Sequence, residues 1–266
     1  MKLVVQGREA YAYTGGKAFD PALPCIVLLH GAMNDHSVWG LPARWFAHHG
    51  RGVLAVDQPG HGRSAGPPLA DIAALADWTL SLLDVAGVRQ AALVGHSMGS
   101  LIALEAAGRA PERATRLVML GTAYPMKVSE ALLTMAREAP QKAIDRVNAL
   151  SHSTFSAKPS YPGPGAWLHG AGRALMRRMQ AGQPTLNLFE HDFRVCDAYD
   201  QGLQAASKLR CPASLVLGAR DQMTPPKAAC ALAQALRANV LTVPAGHALM
   251  QEAPDPVLNA LRTALA

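Results

Sequence analysis

Residues 91–100 read Ala-Ala-Leu-Val-Gly-His-Ser-Met-Gly-Ser, an apolar run that breaks into Gly-x-Ser-x-Gly and passes directly into small, helix-forming residues. The run has the character of a buried strand and its continuation that of a helix, so Ser97 stands on the sharp turn between them. A turn that tight excludes side chains two positions to either side, a need met by Gly95 and Gly99. Such a turn lifts Ser97 Oγ out of the sheet while the free N–H groups of the next helix point at the same spot. Nucleophile and anion stabiliser then come from one feature, and the strand–turn–helix unit commits the chain to a layered α/β architecture.

The rest of the chain agrees with that architecture. Residues 2–5, 11–14, 25–30, 52–57, 91–95, 116–120, 214–218 and 240–243 read as strands. From the third onward they are mostly continuous apolar runs, the pattern of strands buried on both faces of a parallel sheet. Helical patterns at 39–49, 72–86, 98–110, 226–237 and 254–266 supply the crossovers. The expectation is an α/β fold with a mostly parallel, doubly wound, eight-stranded sheet. Between residues 120 and 214 the alternation stops. Helical stretches at 129–139, 141–150, 171–181 and 187–201 follow one another, separated by Tyr161-Pro-Gly-Pro-Gly165 and Gly182-Gln-Pro184. Residues 1–123 and 210–266 are therefore expected to form the core, with 124–209 a helical cap or lid inserted after the sixth strand. Such a cap would sit over the C-terminal edge, where open α/β sheets bind ligands. The glycine and proline content of 161–165 suggests a flap.

Composition narrows the partners. Half of the residues are hydrophobic and 17% are charged, enough apolar material for a sizeable core and no signature of disorder. The net charge of +6 is spread over scattered basic residues not interleaved with aromatics, Arg177-Arg178 being the only adjacent pair, so no nucleic-acid partner is expected. No apolar run approaches the ~18 residues of a membrane span. Met1-Lys2-Leu3 leads into a short strand, not into the apolar region of a signal peptide, which makes cytoplasmic the expected location. Cys25, Cys196, Cys211 and Cys230 form no C-x-x-C pair and are expected to be free thiols, neither disulfides nor metal ligands.

A serine hydroxyl needs a base to take its proton, and the base needs an acid to hold its tautomer. In a parallel sheet these partners belong on loops just past strand C-termini, which open onto the edge that carries the nucleophile. Asp221 stands three residues beyond the run 214–218, and His247 follows the run 240–243. His30, His36 and His61 lie on loops of the same edge and compete for the role of base, whereas the position of His96 beside the serine turns it away. Asp57 also follows a strand, but within Asp57-Gln-Pro-Gly-His-Gly-Arg-Ser64 its task reads as holding a turn. For the oxyanion, Met98 offers an N–H at the helix start. Gly31, after His30, lets the chain turn so that the Ala32 N–H faces the pocket.

Taken together, His30-Gly31, Asp57-x-x-Gly60-x-Gly62-x-Ser64, Gly95-His-Ser-Met-Gly99, Gly218-Ala-Arg-Asp221 and Gly246-His247 resemble the α/β-hydrolase superfamily, in its capped bacterial serine esterase-like branch. The resemblance covers most of the chain. It implies a cofactor-free, metal-free hydrolase that cleaves an ester, lactone or thioester of a small apolar substrate through an acyl-enzyme. Ser97 would attack, His247 shuttle protons, Asp221 orient it, and the Ala32 and Met98 N–H groups hold the oxyanion, supported by His30, Gly31, Gly95 and Gly99. Dehalogenases and epoxide hydrolases place aspartate at the elbow. Hydrolases of carbon–carbon bonds in vinylogous diketones typically carry asparagine where this chain has His96. A reading from a different class is a ligand-binding sensor on the same shell, which has no need of the triad and oxyanion loop together. Met126, Phe155 and Trp167 from the cap, with Met223 beside the acid, are the expected pocket lining. Met135, Met176 and Phe189 are further candidates.

Overall fold

A computed structural model of the chain describes residues 1–153 and 168–266. Strands β1 (Lys2–Val5) and β2 (Arg8–Tyr13) form an antiparallel hairpin. They are followed by β3 (Cys25–Leu29), β4 (Gly52–Val56), β5 (Ala91–His96), β6 (Ala114–Leu120), β7 (Ala213–Gly218) and β8 (Asn239–Val243). One eight-stranded sheet runs β1-β2-β4-β3-β5-β6-β7-β8. The β2–β4 pair is antiparallel and every later pair is parallel. This is the expected mostly parallel, doubly wound sheet. Every residue of β3, β4, β5 and β7 is buried, which is why these strands read as unbroken apolar runs. Edge strand β8 keeps only Val243 buried.

The helices are α1 (Gly40–Ala47), α2 (Ile72–Val85), α3 (Met98–Arg109), α4 (Glu130–Glu138), α5 (Pro140–Ser151), α6 (Leu168–Ala181), α7 (Leu188–Ala198), α8 (Gly202–Lys208), α9 (Cys230–Leu236), α10 (Leu249–Glu252) and α11 (Pro254–Ala264). Their starts follow local chemistry. Asp71, Ser129 and Asn187 accept backbone N–H groups at the beginnings of α2, α4 and α7, and proline opens α5 and α11.

Side-chain alternation on the strands divides the core between two faces. Val27 and Leu29 of β3 pack with α2 and α3, while Ile26 and Leu28 pack with α1 and α11. Each such fully buried aliphatic side chain stabilises the fold by about 1.5–3 kcal/mol. A third cluster, from α4, α5, α6 and α7, forms the heart of the insertion after β6 and reaches the core at Met33.

The sequence pattern predicts one helix over 187–201, whereas the structure ends α7 at Ala198 and begins α8 at Gly202. Close packing accompanies the break. A Cβ at Gly202 would stand 2.5 Å from the Tyr124 ring. Helix α8 then lies so near α3 that a Cβ on Gly108 would meet Ala205 Cα at 2.8 Å. Ala205 and Ala206 accordingly join the α2/α3 side of the core. Among the described residues, no helix is long and apolar enough to cross a membrane.

Candidate active site

Ser97 joins β5 to α3 with φ 51° and ψ −119°, a left-handed conformation that costs a side-chain-bearing residue about 1–3 kcal/mol. Its surroundings hold it there. Ser97 N donates to Leu120 O at 2.9 Å, and Ser97 O accepts Ser100 N at 2.8 Å and Ser100 Oγ at 2.6 Å. The flanking glycines are required by contact: a Cβ on Gly95 would lie 2.0 Å from Gly99 O, and one on Gly99 would lie 2.3 Å from Leu29 O. Gly31 is tighter than an ordinary contact allows, its Cβ position falling 3.1 Å from both Ser97 Cβ and His96 Nδ1.

Beyond β7 and β8 the structure brings Asp221 and His247 together, both buried. His247 Nδ1 lies 2.8 Å from Asp221 Oδ2, and Asp221 Oδ1 accepts the backbone N–H groups of Met223 and Thr224, each at 2.8 Å. Thr224 Oγ1 donates to Asp221 Oδ2 at 2.8 Å and stands 3.1 Å from His247 Nδ1. Burial alone would raise the Asp221 carboxyl. The His247 charge and these hydrogen bonds outweigh it and hold the carboxyl below the ordinary range. A carboxylate so held fixes a proton on Nδ1 and leaves Nε2 as the basic nitrogen.

The competing histidines are occupied. His30 Nδ1 donates to Gly31 O at 2.8 Å, Nε2 accepts Gln58 N–H at 3.1 Å, and burial followed by the nearby His61 charge depresses it to about 4. His36 Nδ1 lies 2.8 Å from Asp57 Oδ1, and Asp57 Oδ2 accepts Arg63 N, so Asp57 holds its turn as its context suggests. Asp35, His36 and Asp57 form the only His/Cys/Asp/Glu grouping among the described residues with spacing suited to a cation. Ser37 and Arg178 take the Asp35 oxygens, so these carboxylates are already committed to protein donors. His61 pairs with Asp192. His96 Nε2 donates to His247 O at 2.9 Å, and burial first, then the His247 charge, lowers it to about 3. It therefore ties the nucleophile turn to the His247 loop as a neutral imidazole. Gly121, with φ 50°, leaves room for both rings: a Cβ there would approach His247 Nδ1 and His96 Nε2 to 3.3 Å each.

Ser97, His247 and Ala32 line one cavity of about 80 Å³ beneath the insertion. Met98 begins α3, where no intrahelical acceptor exists for its N–H, and among the described residues neither that N–H nor the Ala32 N–H has a hydrogen-bond partner. The lining is mostly apolar: Met126, Val128, Val147, Met176, Phe193, Cys196 and Met223. Of the residues expected to line the pocket, Met126, Met176 and Met223 border this cavity. Phe189 is fully buried and stacks on Phe193 with centroids 4.4 Å apart, and Met135 packs on the insertion's own core. Phe155, Trp167 and the segment 161–165 lie outside the described residues. The sequence reading missed Thr224, Val147 and Phe193. Helical spacing carries the last two, since Ala143, Ile144, Val147 and Ser151 share a buried face of α5, as do Phe189, Phe193 and Cys196 on α7.

The Alpha/beta hydrolase family model matches residues 26–260. Pimeloyl-[acyl-carrier protein] methyl ester esterase of Chromobacterium violaceum is 30% identical over 241 residues, spanning 82% of this chain and 84% of that protein. The dihydrolipoyllysine-residue acetyltransferase component of the acetoin cleaving system of Pseudomonas putida is 37% identical over 110 residues. That match spans 41% of this chain and only 28% of the relative's length. The enol-lactonase of Burkholderia xenovorans LB400 superposes with a TM-score of 0.81 at 22% identity, covering 100% of this chain and 99% of that one. Sequence and fold therefore agree, and the chain belongs to the alpha/beta hydrolase family.

Proposed function

We propose that the chain is a serine hydrolase of carboxylic ester-type bonds, acting on an ester, lactone or thioester of a small, largely apolar molecule. The observation that carries this reading is the convergence of the strained Ser97 and the Asp221-supported His247 on one apolar cavity. The Chromobacterium relative acts on a methyl ester and the Burkholderia structure is an enol-lactonase, both ester-type substrates.

In the reaction, His247 Nε2 takes the proton of Ser97 Oγ as it attacks the carbonyl carbon. Asp221 stabilises the imidazolium that forms. The carbonyl oxygen becomes an oxyanion between the Ala32 and Met98 N–H groups, which need no reorganisation to receive it. His247 returns its proton to the leaving oxygen or sulfur, an acyl-Ser97 remains, and water activated by the same imidazole releases the acid. Residues 124–209 act as the cap that encloses the acyl group, over a core of 1–123 and 210–266. Four free cysteines, two of them buried, suit a reducing cytoplasm.

The test is labelling with a fluorophosphonate probe, together with turnover of short p-nitrophenyl esters. Wild type is labelled at Ser97 and turns over, while Ser97→Ala loses both. Turnover by Ser97→Ala would overturn the assignment, and absence of labelling and turnover in folded wild type would favour a ligand-binding sensor.

A further inference from the structure

Asp192 belongs to α7 in the cap, yet its carboxylate reaches across to the loop that follows β3. Oδ2 accepts the Met33 backbone N–H at 2.8 Å and lies 2.9 Å from His61 Nε2, with both carboxylate and imidazole almost wholly buried. On its other side, His61 Nδ1 lies 3.1 Å from Pro59 O. A carbonyl and a carboxylate can only accept, so His61 satisfies both partners at once in its imidazolium form, with hydrogen on each ring nitrogen. The charges around it favour that form. Burial would lower the His61 pKa, but the charge and hydrogen bond of Asp192, then the Pro59 carbonyl and Asp57, lift it above the ordinary value. His30, with its ring centroid 5.1 Å away, is held neutral.

Met33 is the residue after Ala32 and has φ 59°, a strained value for a side-chain-bearing residue. Two cap contacts hold it there: its N–H is fixed by Asp192, and its side chain is buried in the cap's apolar cluster. The Asp192 contact fixes the plane of the Ala32–Met33 peptide, which limits how Ala32 can turn. We propose that Asp192 is a positioning residue that holds the Ala32 N–H toward the cavity, so that docking of the cap sets the anion site. This rests on the reading of Ala32 as an oxyanion donor. Without the Asp192 acceptor, Met33 relaxes from its left-handed conformation and the Ala32 N–H turns away from the developing charge.

The experiment compares wild type, Asp192→Ala and Asp192→Asn by kcat and KM on p-nitrophenyl butyrate. It also measures affinity for an aryl trifluoromethyl ketone, which forms an oxyanion on the serine, and the titration of His61 by NMR. Asp192→Ala is expected to lower kcat about tenfold or more, with KM within about threefold of wild type and ketone affinity falling in step with kcat. Asp192→Asn keeps an acceptor for the Met33 N–H and is expected to recover part of that loss, while its His61 titrates at lower pH than in wild type. Should the alanine variant not fold, the isosteric asparagine carries the test through the same readouts. Asp192 variants with kcat and ketone affinity within twofold of wild type would overturn the inference, as would a loss lying in KM alone or a wild-type His61 that titrates below an ordinary histidine. In those cases an active, fluorophosphonate-labelled wild type leaves the hydrolase reading standing. An inert, unlabelled wild type overturns both.

Discussion

Asp221 and His247 meet through one carboxylate oxygen, Oδ2, 2.8 Å from Nδ1, while the other oxygen is taken up by the Met223 and Thr224 N–H groups. The carboxylate is thereby held by its own loop and cannot rotate to follow the imidazole. An amide at the same position would offer His247 either an oxygen without charge or an NH₂ group that favours the wrong tautomer. Asp221→Asn should therefore lower kcat by roughly 10⁴-fold while the protein stays folded. Thr224→Val removes a neutral partner of both groups and should cost no more than about tenfold. Steady-state kinetics on a p-nitrophenyl ester, with circular dichroism on the same samples, separates these outcomes. Equal losses in the two variants would mean that Thr224 has been undervalued.

The Gly95–Gly99 contact predicts a stability effect. A Cβ at Gly95 meets Gly99 O at 2.0 Å, and the obstacle is backbone that cannot swing aside. Gly95→Ala should cost at least about 3 kcal/mol by overpacking, which lowers Tm by roughly 6–12 °C at this chain length. Gly40 is the contrasting case. It has φ −50° at the start of α1 and nothing within 4 Å of its Cβ position, so Gly40→Ala should raise stability by about 0.5–1 kcal/mol. Thermal melts of the two variants should move in opposite directions.

That contrast shows what a sequence encodes legibly. Gly95, Ser97 and Gly99 are close in the chain and serve one turn, so spacing reveals them, and Asp221 and His247 stand out because each follows a strand of the parallel part of the sheet, β7 and β8, whose loops open onto the edge that carries the nucleophile. The sheet itself is legible because strands buried on both faces carry no polar alternation. The pocket is less so. Val147 and Phe193 come from two helices whose amphipathic pattern shows which face is buried, but not whether it meets the cap core or the cavity. Asp192 is invisible for a related reason: a carboxylate on α7 looks like any helical acid until folding sets it against Met33 and His61, 159 and 131 residues away.

His30 and His96 give the fold a particular sensitivity to acid. Both are buried as neutral rings, pushed from 6.5 to about 4 and about 3, first by burial. The folded chain then binds fewer protons than the unfolded chain in this window, so their contribution to stability is complete above about pH 6.5. It is lost as pH falls from there toward 4 and 3. At about 1.4 kcal/mol per pH unit for each group, the loss amounts to several kcal/mol. Asp221, whose pKa is lowered, adds its loss only below the ordinary carboxylate value of 3.8. Denaturant unfolding measured at intervals from pH 7.5 to 4 should show stability dropping before the carboxylates titrate. In His96→Gln the slope should be shallower. An unchanged slope would mean that His96 protonates in the folded state without cost.

Phe193 should set how long an acyl chain the cavity accepts. It stacks on the fully buried Phe189 while facing the same space as Ser97, so one face of its ring is core and the other is pocket wall. Phe193→Leu keeps the site apolar but removes ring atoms, which should cost about 1–3 kcal/mol of stability while enlarging the cavity where the ring stood. Each methylene newly accommodated can gain up to about 1–3 kcal/mol in transition-state binding. The ratio of kcat/KM for p-nitrophenyl octanoate over acetate should rise several-fold or more, with the acetate rate changed less than about threefold. If both esters slow equally, Phe193 acts through the packing of the cap and chain length is set by other residues around the cavity.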